Sequence, residues 1–162
     1  MRMATEYLSI TWDQLQADAR RLARALMGAP PVKGILAVAR GGLIPAAIIA
    51  RELNIRRVKT IAVESYEGPR AESRGVVRVL EQPFLEEEGA GYLIIDDLVD
   101  TGETAHVVRE LFPKATFACL YAKPLGRSRA DYHVREVGQD IWVLFPWDMA
   151  PAFSPPLIET AK

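Results

Sequence analysis

Leu93-Ile94-Ile95-Asp96-Asp97-Leu98-Val99-Asp100-Thr101-Gly102-Glu103-Thr104 is the stretch on which the reading of this chain turns. An apolar run opening at Tyr92 and reaching two adjacent carboxylates reads as a buried strand, Tyr92 to Ile95, with Asp96 and Asp97 at its end. The small and hydroxyl-bearing residues behind it lead into a helix over Gly102 to Phe112. In an open parallel sheet, ligands lie outside the carboxyl ends of strands, and the amides opening the next helix are unpaired donors suited to a phosphate. Thr101, Gly102, Glu103 and Thr104 form such an anion nest. Neighbouring carboxylates repel each other, so Asp96 and Asp97 call for a cation or for hydroxyl donors such as those of a ribose. A sugar phosphate with magnesium meets both needs. Taken singly, Asp96, Asp97 and Asp100 read as turn and capping residues. A cap needs one carboxylate, however, and this segment supplies three.

Outward from that motif the same rhythm continues. Thr11 caps a first helix, with Gln14 three residues on and Leu15, Ala19, Leu22 and Leu26 recurring on one face until Pro30 and Pro31. Gly34 to Ala39 is a continuous apolar run, as in a strand covered on both faces. Arg40-Gly41-Gly42 turns the chain into a helical segment from Ala46 to Leu53, with Pro45 near its start. Val58 to Val63 reads as a strand, Glu64 to Gly75 as a polar mobile loop, Val76 to Leu80 as a returning strand, and Glu86 to Gly91 as a solvated turn. Thr116 to Ala122 and Ile141 to Phe145 are the remaining strands. The alternation of strand and helix predicts an α/β fold with a central parallel sheet.

The chain has 162 residues, 49% of them apolar and 25% charged, which suits a single globular domain over 1–162. Twenty lysines and arginines against 21 acids leave a net charge of −1, which argues against a surface built for nucleic-acid phosphates. The one cysteine, Cys119, lies in an apolar run and reads as a buried small hydrophobe in a reducing compartment. No apolar stretch reaches membrane-spanning length and no signal peptide is apparent, so a cytoplasmic protein is expected, with association at a membrane surface still compatible. His106 and His133 adjoin no motif and are expected on a helix surface and in a loop.

An apolar strand, two acids and a Thr-Gly-x-Thr loop resemble the diphosphate-sugar motif of the type I phosphoribosyltransferases. The resemblance extends from about residue 7 to about residue 156 and is strongest to the family's bacterial xanthine-guanine members. It is carried by Thr11-Trp12-Asp13, Ala37-Val38-Ala39-Arg40-Gly41-Gly42-Leu43, the motif above, Ala122-Lys123-Pro124 and Pro146-Trp147-Asp148-Met149. It implies the type I phosphoribosyltransferase fold, with a small hood formed by the C-terminal segment. The implied activity is transfer of the phosphoribosyl group from phosphoribosyl pyrophosphate to xanthine, guanine or hypoxanthine, with Mg2+ as cofactor. By position, Asp96 and Asp97 face the ribose hydroxyls, Asp97 also serves magnesium, Thr101 to Thr104 hold the 5-phosphate, and Leu98, Val99 and Asp100 complete the segment that binds the sugar diphosphate. Asp100 is also the implied general acid/base at the purine N7. Arg40, Gly41 and Gly42 match the pyrophosphate loop, with Ala39 where relatives often carry serine and with a peptide bond the family often holds cis. Lys123 matches the donor to the purine 6-oxygen, Trp142 the ring that stacks on the base, and Val143, with the backbone of Trp142, the reader of the 2-substituent. Asp148 is the implied support of a second magnesium. Within the Glu64 to Gly75 loop, which matches a segment that closes over the reacting centre, Arg70 or Arg74 takes the arginine role, and Arg74 is preferred. By themselves, Lys123 reads as a surface lysine and Trp142 as a core aromatic. Relatives are oligomers, so a homo-oligomer, dimer or tetramer, is expected. The rival functions are a regulator of this fold that binds nucleic acid, and a transferase for adenine or a pyrimidine.

Overall fold

The Thr11 hydroxyl accepts the Gln14 amide at 3.2 Å while the Gln14 side chain accepts the Thr11 amide at 2.9 Å, and this reciprocal cap starts helix α1, Trp12–Leu26. In the computed structural model, which describes residues 6–66, 76–148 and 158, seven further strands and two further helices follow the first strand, β1 (Glu6–Ser9), and α1. They are β2 (Gly34–Ala39), α2 (Leu43–Glu52), β3 (Val58–Tyr66), β4 (Val76–Glu81), β5 (Tyr92–Val99), α3 (Glu103–Leu111), β6 (Thr116–Ala122), β7 (Tyr132–Glu136) and β8 (Ile141–Leu144).

The central sheet has the order β4-β3-β2-β5-β6-β7, parallel throughout except for the antiparallel edge strand β4. Its two faces are buried separately, as the continuous apolar runs require. Ile35, Ala37, Leu93, Ile95 and Leu120 point to the side covered by α1 and α2, whereas Leu36, Val38, Ile94, Phe117 and Cys119 point to the side covered by α3. Burial pushes the Cys119 thiol far up, so it is the inert small hydrophobe expected.

Several expectations are corrected. Ile141–Leu144 is not a strand of the main sheet: it pairs in parallel with β1 in a separate two-stranded sheet. All four β1 residues are exposed, so that strand carries no alternation to read. His133 is in β7, not in a loop, where its ring is 3.3 Å from Glu136; His106 does lie on a helix surface, on α3. The polar segment beginning at Glu64 is strand up to Tyr66, paired with β4, and the rest of the expected loop, with Arg70 and Arg74, lies outside the described residues. Phe153 and the proline-rich C-terminal segment, which by sequence suit a contact between subunits, also lie outside them. Among the described residues, no helix is long and apolar enough to cross a membrane.

One polar residue sits on the apolar face of α1. Asp18 is buried and accepts the Tyr121 hydroxyl at 2.6 Å and the Arg135 guanidinium Nε at 3.0 Å, which ties α1 to β6 and β7. Burial, then the bond to Asp18, raises the Tyr121 pKa, so that hydroxyl keeps its proton and donates. Asp18→Ala strands the buried Tyr121 hydroxyl at a cost of about 1–3 kcal/mol. The half-exposed Arg135 regains water and adds little. A fall in Tm of about 3–10 °C is expected in thermal denaturation of a domain this size, and an unchanged Tm would remove this tie from the account.

Candidate active site

β2, β5 and β6 are adjacent in the sheet, and the chain leaves β2 towards β3 on one side and β5 towards β6 on the other. That divergence is the topological switch point at which a crevice opens beyond the strand ends. Arg40 to Gly42 follow β2, Asp96 to Thr104 span the end of β5 and the start of α3, and Lys123 follows β6. β5 runs through both acids to Val99, four residues past the end expected at Ile95. Its pairing with β2 stops at Ile95, while on the other side Asp96, Leu98 and Val99 stay paired with Cys119, Tyr121 and Ala122 of β6. The acids are therefore held by one neighbour and open on the other side, where the β2 turn enters.

That turn begins with a cis peptide between Ala39 and Arg40. A Cβ added at Gly41 would fall on the Asp97 carboxylate, and one at Gly42 on the Ile95 carbonyl oxygen. Only glycine lets the two loops close on each other. The exposed Arg40 stands at the lip of this closure.

Asp96 is buried, and its Oδ1 accepts the Asp97 amide at 2.9 Å; Asp97 Oδ1 accepts the Leu98 amide at 2.7 Å. Burial, and then the charge of Asp97, hold the Asp96 carboxyl well above the usual carboxylate range. Burial also raises Asp97, with a contribution from the charge of Asp148. Ionising both acids costs the fold at neutral pH, a cost a bound cation offsets. Asp148, in the 3-10 turn Pro146–Asp148, accepts the Phe145 amide at 2.8 Å, and Phe145 stacks on Trp147 at 4.8 Å. The described residues hold no cluster of three metal-ligating side chains. Asp97 and Asp148 instead suit a magnesium that draws its other ligands from water and from a phosphorylated substrate.

The loop opening α3 is uncapped. Gly102 takes φ +90° at the start of α3, a left-handed conformation suited to glycine, and no side chain caps the helix. The first-turn amides of Glu103, Thr104 and Ala105 thus point outward as donors, beside exposed Thr101 and Glu103 and half-buried Thr104.

Lys123 is buried, not on the surface, and donates to Asp100 Oδ2 at 3.0 Å. Asp100 Oδ1 accepts Gln139 Nε2 at 2.7 Å, a contact no motif foretold. Val143 is buried in β8, while Trp142 is 52% exposed and so does not fill the core. Of the residues expected to form the site, the β2 turn, the carboxylates, the Thr101 to Thr104 loop and Lys123 therefore lie at the ends of three adjacent strands, and Trp142 lies three residues beyond Gln139, which bonds Asp100. Arg74 is outside the described residues.

The chain is similar to known proteins over most of its length. The chain is 53% identical over 155 residues to the xanthine-guanine phosphoribosyltransferase of Gluconobacter oxydans, covering 95% of this chain and 92% of that protein. It is 46% identical over 157 residues to the enzyme of that name from Chromohalobacter salexigens, covering 97% and 93%. The crystal structure of a purine phosphoribosyltransferase from Pyrococcus horikoshii superposes with a TM-score of 0.73 at 30% identity, covering 94% of this chain and all of that one. The phosphoribosyl transferase domain family matches residues 11–154, a span that takes in the β2 turn, the β5 motif and the lysine after β6, and the chain belongs to that family.

Proposed function

We propose that this protein is a purine salvage enzyme that transfers the phosphoribosyl group of phosphoribosyl pyrophosphate to guanine, xanthine or hypoxanthine and releases pyrophosphate. The observation that carries the reading is the convergence of an uncapped helix start, a buried acid pair and a lysine-bound aspartate at the ends of three adjacent strands. The sugar diphosphate lies along the crevice, its 5-phosphate on the amides of the Thr101 to Thr104 loop and its ribose hydroxyls donating to Asp96 and Asp97. Arg40 and the amides of Gly41 and Gly42 face the pyrophosphate. Asp97, with Asp148 in support, would hold magnesium, which would supply positive charge to offset that of the phosphorylated substrate. Arg74 is assigned the arginine role from the covering segment. The base stacks on Trp142, reads Val143 with its 2-substituent and accepts Lys123 at its 6-oxygen. As the sugar carbon passes from pyrophosphate oxygen to purine nitrogen, Asp100 takes the N7 proton.

The same reading makes the protein a cytoplasmic homo-oligomer. Exposed Val76 and Leu80 on the free edge strand β4, with Phe84 beside it, suit a contact between copies.

Pyrophosphate release from phosphoribosyl pyrophosphate and guanine, titrated with Mg2+, tests the proposal. Turnover is expected to require both substrates and to vanish on chelation. Asp97→Asn is expected to move the magnesium curve to higher concentration, and an unmoved curve would take Asp97 out of the metal site.

A further inference from the structure

Gln139 lies in the short connection between β7 and β8 and belongs to no recognised motif. Its three polar groups all reach the same place. Nε2 donates to Asp100 Oδ1 at 2.7 Å, Oε1 accepts the Leu125 amide at 3.0 Å, and the backbone carbonyl lies 3.5 Å from Lys123 Nζ. Lys123 in turn donates to Asp100 Oδ2 at 3.0 Å. The Asp100 carboxylate is thus gripped at both oxygens, by Gln139 on one and Lys123 on the other, and its plane cannot rotate without breaking one bond. Each oxygen keeps a second lone-pair direction for a substrate proton. An ammonium has three hydrogens, and two of those of Lys123 face Asp100 and the Gln139 carbonyl. One remains for a ligand.

We propose that Gln139 is a positioning residue, which aims the Asp100 carboxylate at the purine and steadies Lys123 through the same loop. The proposal rests on the assignment of Asp100 and Lys123 to the base. The Asp100 side chain is 50% exposed, so this bond contributes little to folding, whereas a proton acceptor must sit within hydrogen-bond reach of the ring nitrogen. Loss of orientation alone reaches ~10²-fold in rate when a reacting group moves by about an ångström.

Gln139→Glu separates positioning from support. The glutamate keeps the length and an oxygen for the Leu125 amide, loses the donor to Asp100 and sets a negative charge against Oδ1. With guanine, kcat is expected to fall at least ~10-fold while the KM for phosphoribosyl pyrophosphate stays within about twofold and Tm barely moves. Gln139→Ala is expected to lower kcat similarly. In an Asp100→Asn background, Gln139→Glu is expected to cost less than about twofold more, because the group it orients is gone. A Gln139→Glu protein with kcat within about twofold of wild type would overturn the proposal, and so would losses that multiply in the double variant. A wild-type protein inert towards every 6-oxopurine overturns the functional reading and this proposal with it, whereas an active wild type with unimpaired Gln139→Glu overturns this proposal alone.

Discussion

Asp100→Asn is expected to cut turnover with guanine by about 10²–10⁴, the range for removal of a general acid/base. This is about 3–5 kcal/mol of transition-state stabilisation. The amide keeps the size of the carboxylate and an oxygen for Lys123, but it cannot take up the N7 proton. The 5-phosphate is assigned to backbone amides opening α3, which the substitution leaves in place, so the KM for phosphoribosyl pyrophosphate is expected to stay near its wild-type value. Measuring kcat and both KM values by initial rates checks this. Turnover within a factor of two of wild type would remove Asp100 from the chemistry.

Adenine is expected to be used ~10⁴-fold less efficiently than guanine, as when a site built around one polar partner meets an analogue that mismatches it. The reason lies in the burial of Lys123. The residue is 5% exposed and its ammonium is held by Asp100 at 3.0 Å, so it does not swing away into water when a base arrives. A 6-oxygen accepts its remaining hydrogen. The 6-amino group of adenine is itself a donor there, and the two would face each other with no acceptor between them. Lys123→Ala is expected to weaken guanine use without making adenine a good substrate, since truncation removes the clash but creates no acceptor.

The strands, turn and helix around the β5 motif were legible because each carries a strong local signal. These are a doubly covered apolar run, glycines that close contact demands, and a reciprocal cap at Thr11. The acid pair could be placed because like charges side by side need an explanation. What escaped was set by distant contacts or lacked a pattern. β1 is wholly exposed and β7 is an edge strand with mixed exposure, so neither shows the alternation that marks a half-buried strand. Without a readable β1, nothing in the sequence separates β8 from the central sheet. Gln139 meets Asp100 across 39 positions of sequence, and no local spacing announces such a pair. Asp18 did carry a signal: a carboxylate amid Leu15, Ala19 and Leu22 on the apolar face of α1 requires a buried partner, which proves to be Tyr121 with Arg135.

The most direct measurement is pyrophosphate release in the presence of phosphoribosyl pyrophosphate and magnesium, followed side by side for guanine, hypoxanthine, xanthine and adenine. The account predicts turnover with the three 6-oxopurines and none above background with adenine. Adenine used as well as guanine would contradict both the role of Lys123 and the assignment of this site to 6-oxopurine salvage.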